Sequence, residues 1–181
     1  MKPKTLQELQ QRFKELGYTW PTFHIIGIRS NEDKPDAFDD LIYVVNGGRL
    51  YCYTCTTNPG KYYLENPMNA KGAGVLKPGQ YIDAFGFGFH NGQYECLVQV
   101  KPLTVYRDGD KDLHSEEDGA EDTGMFYIQI HRANDKTTSV LIGKWSAACQ
   151  VLNNPKMWVE FLQLCKDSKL QRFTYTLLKE W

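Results

Sequence analysis

The chain lacks most of what would assign it quickly. No apolar run is long enough to cross a bilayer, which takes about 20 residues. The 181 residues carry 21 basic and 22 acidic side chains, a formal net charge of −1. That balance leaves no electrostatic footprint for nucleic acid, so no nucleic-acid partner is expected. The first residues, Met1-Lys2-Pro3-Lys4-Thr5-Leu6, have no apolar core of the kind a secretory signal needs. Internal repeats and low-complexity tracts are absent, and the length suits a single domain spanning residues 1–181. Cysteines number five, an odd count, and only Cys52 and Cys55 form a C-x-x-C pair. They lie in a strand-like run where residues three apart face opposite sides, and no second pair accompanies them, so no zinc site and no other cofactor is expected.

What is present is mostly strand signal. Residues 24–29, 41–45, 49–56, 80–89, 94–106, 125–131 and 173–178 are rich in aromatic and β-branched side chains. Asn46-Gly47-Gly48 and His90-Asn91-Gly92 carry the turn chemistry that closes hairpins. Two helices stand out. One covers residues 5–16, with Thr5 as cap and Leu6, Leu9, Phe13 and Leu16 on one stripe. The other covers 155–166, with Asn154 as cap, Pro155 in its first turn and Cys165 facing the core. The fold class expected is mainly β with flanking helices, a mostly antiparallel sandwich or barrel with the N-terminal helix packed on it. An acidic run from Asp108 to Asp122 begins like a calcium loop, but Leu113 and Gly119 occupy places where such a loop needs a glycine and a glutamate. It reads as a solvated loop rimming whatever follows.

The segment that follows carries chemistry. His131 ends an alternating strand, and Gly143-Lys144-Trp145-Ser146-Ala147-Ala148-Cys149 reads as a tight turn of small residues before a thiol. A thiol near pKa 8.5 is mostly protonated at neutral pH and needs a base before it attacks a carbonyl. His131 can take that proton and return it to a leaving amine, and backbone amides at Ala148 and Cys149 can hold the oxyanion. Ser146 is expected to hold the turn by hydrogen bonding. Alternation places Tyr127, Gln129 and His131 on one face, so Tyr127 and Gln129 are expected to line the cleft. Arg132 is a candidate to pair a substrate carboxylate through its planar donors, and Trp145 to wall the pocket. Each residue also has a plainer reading, Cys149 as a buried small hydrophobe and His131 as a satisfied strand-end histidine. Papain-like peptidases, which place cysteine before histidine, are excluded by the order.

At these residues the chain resembles the L,D-transpeptidase (YkuD-domain) family, whose signature is His, fourteen to seventeen residues, then Ser/Thr-His-Gly-Cys. Residues 132–145 separate His131 from Ser146, within that window, and Cys149 stands at the nucleophile's place. Thr57-Asn58-Pro59-Gly60-Lys61-Tyr62 is similar to the family's Thr-Pro-x-Gly-x-Phe segment. The family's second histidine and glycine are Ala147 and Ala148 here, the glycine after the first histidine is Arg132, and the Arg or Asn two places beyond the nucleophile is Val151. The resemblance implies a divergent member acting on peptidoglycan stem peptides through a thioester, as transpeptidase, carboxypeptidase or endopeptidase. It implies action at the cell wall, reached by another route if no signal precedes this chain. A non-catalytic wall-binding module on the same scaffold, and a cysteine acyltransferase on another peptide or amide, are the alternatives.

Overall fold

A computed structural model describes every residue except Asp33 and Glu116. Eight strands close into a barrel: β1 (Phe23–Arg29), β11 (Arg172–Lys179), β5 (Gly79–His90), β6 (Tyr94–Gln99), β9 (Gln129–Arg132), β10 (Gln150–Leu152), β3 (Arg49–Thr56) and β2 (Asp40–Asn46), in that order around the wall. Closure removes every sheet edge from the barrel. Pairing is antiparallel except between β1 and β11 and between β9 and β10. A small three-stranded sheet, β4 (Ala73–Leu76), β7 (Leu103–Asp108) and β8 (Ala120–Gly124), stands beside it. The expected class, mainly β with flanking helices, is the one observed.

The wall divides two apolar clusters by the two-residue period of its strands. On β1, Phe23 and Ile25 join the interior with Phe85, Leu97, Ile130 and Phe173, whereas Ile26 and Ile28 point outward. Helix α1 (Leu6–Glu15) covers that outer face with Leu9 and Phe13, which is why all seven residues of β1 are buried. Its start is set by a capping box, in which Thr5 accepts from the Glu8 amide and Glu8 accepts from the Thr5 amide. A five-residue helix, α2 (Lys61–Glu65), follows β3, and helix α3 (Pro155–Asp167), capped by Asn154, contributes Trp158, Phe161 and Cys165 to the inner cluster. Cys55 packs in the inner cluster and Cys52 against the outer one, as their spacing predicts. Among the described residues no helix is long and apolar enough to cross a membrane.

Three expectations are corrected. Residues 94–106 form two strands in different sheets, because the chain turns at Lys101 and Pro102 and a proline cannot donate to a ladder. Residues 125–128 are not strand, although 129–132 are. There the Gln99 side chain does the work of a neighbouring strand: its Oε1 accepts from the amides of Phe126 (2.9 Å) and Ile128 (3.2 Å), and its Nε2 donates to the Gly124 carbonyl (2.7 Å). Tyr127, between them, takes a positive φ of 60°, so the simple alternation of faces stops at Gln129. The acidic segment, finally, is exposed over residues 109–112, as a solvated loop should be, but engaged towards its end. Its end is strand β8, where Asp122 meets Arg107 and Lys71, and Glu121 meets Lys77. Glu117 bridges Arg29 (2.6 Å) and Lys179 (2.7 Å), tying the segment to β1 and β11. Glu116 of that run lies outside the described residues.

Candidate active site

Strands β9 and β10 run parallel and adjacent, pairing Ile130 with Gln150 and His131 with Val151. Cys149 immediately precedes β10, beside Gln129 on the neighbouring strand. Backbone amides of Gln129 and Ala147 reach its sulfur. His131, two residues further along β9, faces the same cavity. That cavity, about 460 Å³, is lined by His131, Cys149, Gln129, Tyr127, Trp145 and Ala148 among others. Six of the eight residues singled out by the sequence thus meet at one cleft. Ser146 and Arg132 stand behind its wall.

Ser146 is buried and its Oγ donates to the Cys149 carbonyl at 2.8 Å, which holds the turn. Arg132 does not reach into the cleft. Its guanidinium lies over the Tyr94 ring, 4.0 Å from the centroid, and donates to the Ala133 carbonyl at 3.2 Å. The contribution of Arg132 comes instead through its backbone carbonyl, which sits 2.7 Å from Nδ1 of His131. A carbonyl only accepts, so Nδ1 carries the proton and the lone pair of the neutral ring is on Nε2. Tyr94 fixes this arrangement from the other side, its hydroxyl donating to the same carbonyl at 3.0 Å and lying 3.2 Å from Nδ1. Nε2 itself is buried and has no hydrogen-bond partner among the described residues. A buried acceptor without a partner is costly, about 1–3 kcal/mol.

The pair rests uncharged. Burial pushes the Cys149 thiol up to about 11, with the amides of Gln129 and Ala147 pulling the other way. Burial, then the neighbouring His90, hold the His131 imidazole down to about 3. His90 stacks on His131 with ring centroids 4.2 Å apart, and its Nδ1 lies 2.6 Å from Gln129 Oε1. A proton moved from Sγ to Nε2 in the empty site would create two buried charges. The arrangement therefore suits proton transfer during attack on a bound carbonyl rather than a preformed thiolate–imidazolium pair.

The turn before the thiol is braced from the barrel core. Tyr175 on β11 donates its hydroxyl to Gln150 Oε1 (2.6 Å), and Gln150 Nε2 donates to the Ala148 carbonyl (3.1 Å). Room for the Tyr175 hydroxyl exists only because residue 27 is glycine, where a Cβ would stand 2.0 Å from that oxygen. From outside, the amide of Gly60 donates to the Ser146 carbonyl (2.8 Å), and any Cβ there would strike the Gly143 carbonyl at 2.3 Å. The segment 57–62 is thus packed against the loop that leads to Cys149. Ala148 has a φ of 155°, at the margin of the region glycine favours.

His90, Tyr94, Gln150 and Tyr175 escaped the sequence reading. His90 looked like part of a hairpin turn and Tyr94 like an ordinary strand aromatic. Only closure of the barrel, which sets β6 against β9, brings them to His131. Among the described residues no group of three or more His, Cys, Asp or Glu side chains is placed to hold a metal ion. Compared with family models, with curated proteins and with solved structures, the chain matches none.

Proposed function

We propose that this chain is a cysteine acyltransferase of the L,D-transpeptidase kind, acting at the cell wall on peptidoglycan stem peptides, with Cys149 as nucleophile and His131 as general base. The observation that carries the reading is that His131, with its tautomer set by the Arg132 carbonyl and its Nε2 unpartnered, lines the same cleft as Cys149. The spacing from His131 to the Ser-Ala-Ala-Cys turn supports the assignment to this kind of enzyme and hence the substrate.

The step is proton-balanced. As Sγ bonds to the carbonyl carbon of the diamino acid, its proton passes to Nε2 of His131, and the backbone amides at Ala148 and Cys149 stabilise the developing oxyanion. When the tetrahedral centre collapses, the C–N bond breaks and Nε2–H gives that proton to the leaving amine. A thioester on Cys149 remains. Attack by an amine forms a cross-link; attack by water completes a carboxypeptidase or endopeptidase reaction. Tyr127, Gln129 and Trp145 line the cleft and contact the substrate, and no cofactor is required.

A wall-binding module that keeps this scaffold is the second reading. It is favoured by one observation, the resting thiol at about 11 with no histidine hydrogen-bonded to it. Intact mass after incubation with a carbapenem, and product analysis after incubation with isolated muropeptides, separate the two. The expected result is a covalent adduct and released amino acid with the wild-type chain and neither with Cys149→Ala. Absence of both from folded wild-type protein, with binding to muropeptides equal in the two chains, would select the module.

A further inference from the structure

A second cavity, about 240 Å³, adjoins the first and shares with it Tyr63, Met68, Phe126, Ala147 and Ala148. The two therefore meet partly at Ala147 and Ala148, in the turn that leads to the thiol. Arg107 of β7 lines the smaller cavity with its side chain only 8% exposed. Its Nε and Nη2 both donate to Asp122 Oδ2, at 3.1 and 3.0 Å, and its guanidinium rests 4.9 Å from the centroid of the Phe126 ring. Nη1 takes no part in those contacts. It points to the cavity side, 3.7 Å from where a Cβ on Gly74 would stand, and the Cβ of Ala148 is 3.5 Å from the same point. Glycine at 74 thus leaves open the space between the guanidinium and the residue before the nucleophile. Lys71 lies 3.6 Å from the same Asp122 oxygen, so two cations share that carboxylate.

We propose that this cavity is a carboxylate-binding subsite in which Arg107 Nη1 receives the free C-terminal carboxylate of the residue that leaves the acyl donor. The inference rests on the acyltransferase reading. A cavity of this size takes a single small residue, whereas the larger one takes the acyl chain, and the scissile carbonyl then lies at their shared wall beside Cys149. Arginine suits the task because it stays charged when buried and its fork can bind Asp122 with two nitrogens while offering the third. Donors ending one residue beyond the scissile bond fit; a cross-linked strand continuing past it does not. The site accordingly selects carboxypeptidase or transpeptidase donors over endopeptidase substrates.

The test uses the tetrapeptide L-alanyl-γ-D-glutamyl-meso-diaminopimelyl-D-alanine and the same peptide amidated at its C-terminus. Their affinities for Cys149→Ala are compared by calorimetry, with turnover measured in parallel on the wild-type chain. A charge-assisted hydrogen bond predicts that the free acid binds about tenfold to hundredfold more tightly. Arg107→Gln in that background should remove the difference. Gly74→Val should do the same by filling the space in front of Nη1 while leaving the Arg107–Asp122 pair in place. Equal affinities, no binding of either peptide, or a preference that survives both substitutions would overturn the subsite. Turnover on the wild-type chain without a preference for the acid would sink the subsite and leave the acyltransferase standing. A preference abolished by both substitutions, with no thioester on Cys149, would do the reverse.

Discussion

His24 and His131 are both buried, both held neutral by their surroundings, and separated by nearly everything else. His24 lies under α1, stacked on Phe13 at 5.4 Å between centroids and met edge-on by Trp20 at 4.5 Å. Burial lowers it to about 4, and its ring nitrogens have at most a weak contact with the backbone of Pro21. It lines neither of the two cavities beside the Cys149 turn. His131 is buried as deeply, but a carbonyl fixes its tautomer, a second histidine stacks on it, and the residue lines a cleft that Cys149 also lines. A depressed pKa and a missing hydrogen bond are common to both. Only the geometry around the ring distinguishes a packing residue from a candidate base.

The sharpest way to break the comparison is to remove each ring in turn. His131→Gln should slow thioester formation at Cys149 by about 10²–10⁴-fold, the usual worth of a general base, with the fold retained. His24→Leu should leave that rate within twofold of wild type. Intact-mass time courses with a carbapenem give both numbers, and equal losses would show that the two histidines act only through the fold.

Acid stability tests what the two have in common. Both folded pKa values, about 4 and about 3, lie below the ordinary histidine value of about 6.5. As pH falls below 6.5 the unfolded chain takes up protons at these residues and the folded chain does not. The stability present above 6.5 is therefore lost on acidification, by about 1.4 kcal/mol per pH unit for each residue until its folded pKa is reached. Denaturant melts at pH 6.5, 5.5 and 4.5 should show this slope, and His24→Leu should reduce it by about half. An unchanged slope would mean that the ring under α1 is protonated without cost.

A smaller effect reports on Cys149 alone. With its thiol raised to about 11, alkylation by iodoacetamide, followed at Cys149 by peptide mapping, should rise about tenfold per pH unit from 7 to 9 without a plateau. A plateau near neutrality would reveal a preformed ion pair with His131 and overturn the uncharged resting state.

The same contrast runs through what could be read before folding. The periodic segments were legible: both long helices with their Thr5 and Asn154 caps, most barrel strands, and the opposite facing of Cys52 and Cys55. These depend on local pattern alone. The misreadings fall where a proline splits an apolar run, as Pro102 does, where one distant side chain replaces a neighbouring strand, as Gln99 does for Phe126 and Ile128, or where cations from elsewhere in the chain engage Glu117, Glu121 and Asp122. Arg132 offers planar donors in the sequence, but its guanidinium lies on the face of Tyr94 and it is its carbonyl that meets His131.

By itself, then, the sequence determined the strand-rich class, the helix boundaries, and the order and spacing of His131 and Cys149, all properties of residues close along the chain. The tertiary structure decided which nitrogen of His131 is bare, what braces the Ala148 turn from Tyr175, and that Arg107 stands over the adjoining cavity. The first depends on how the ring turns toward the adjacent Arg132 carbonyl, which Tyr94 holds from β6, and the other two on contacts between residues far apart in the chain, made when the barrel and the small sheet pack.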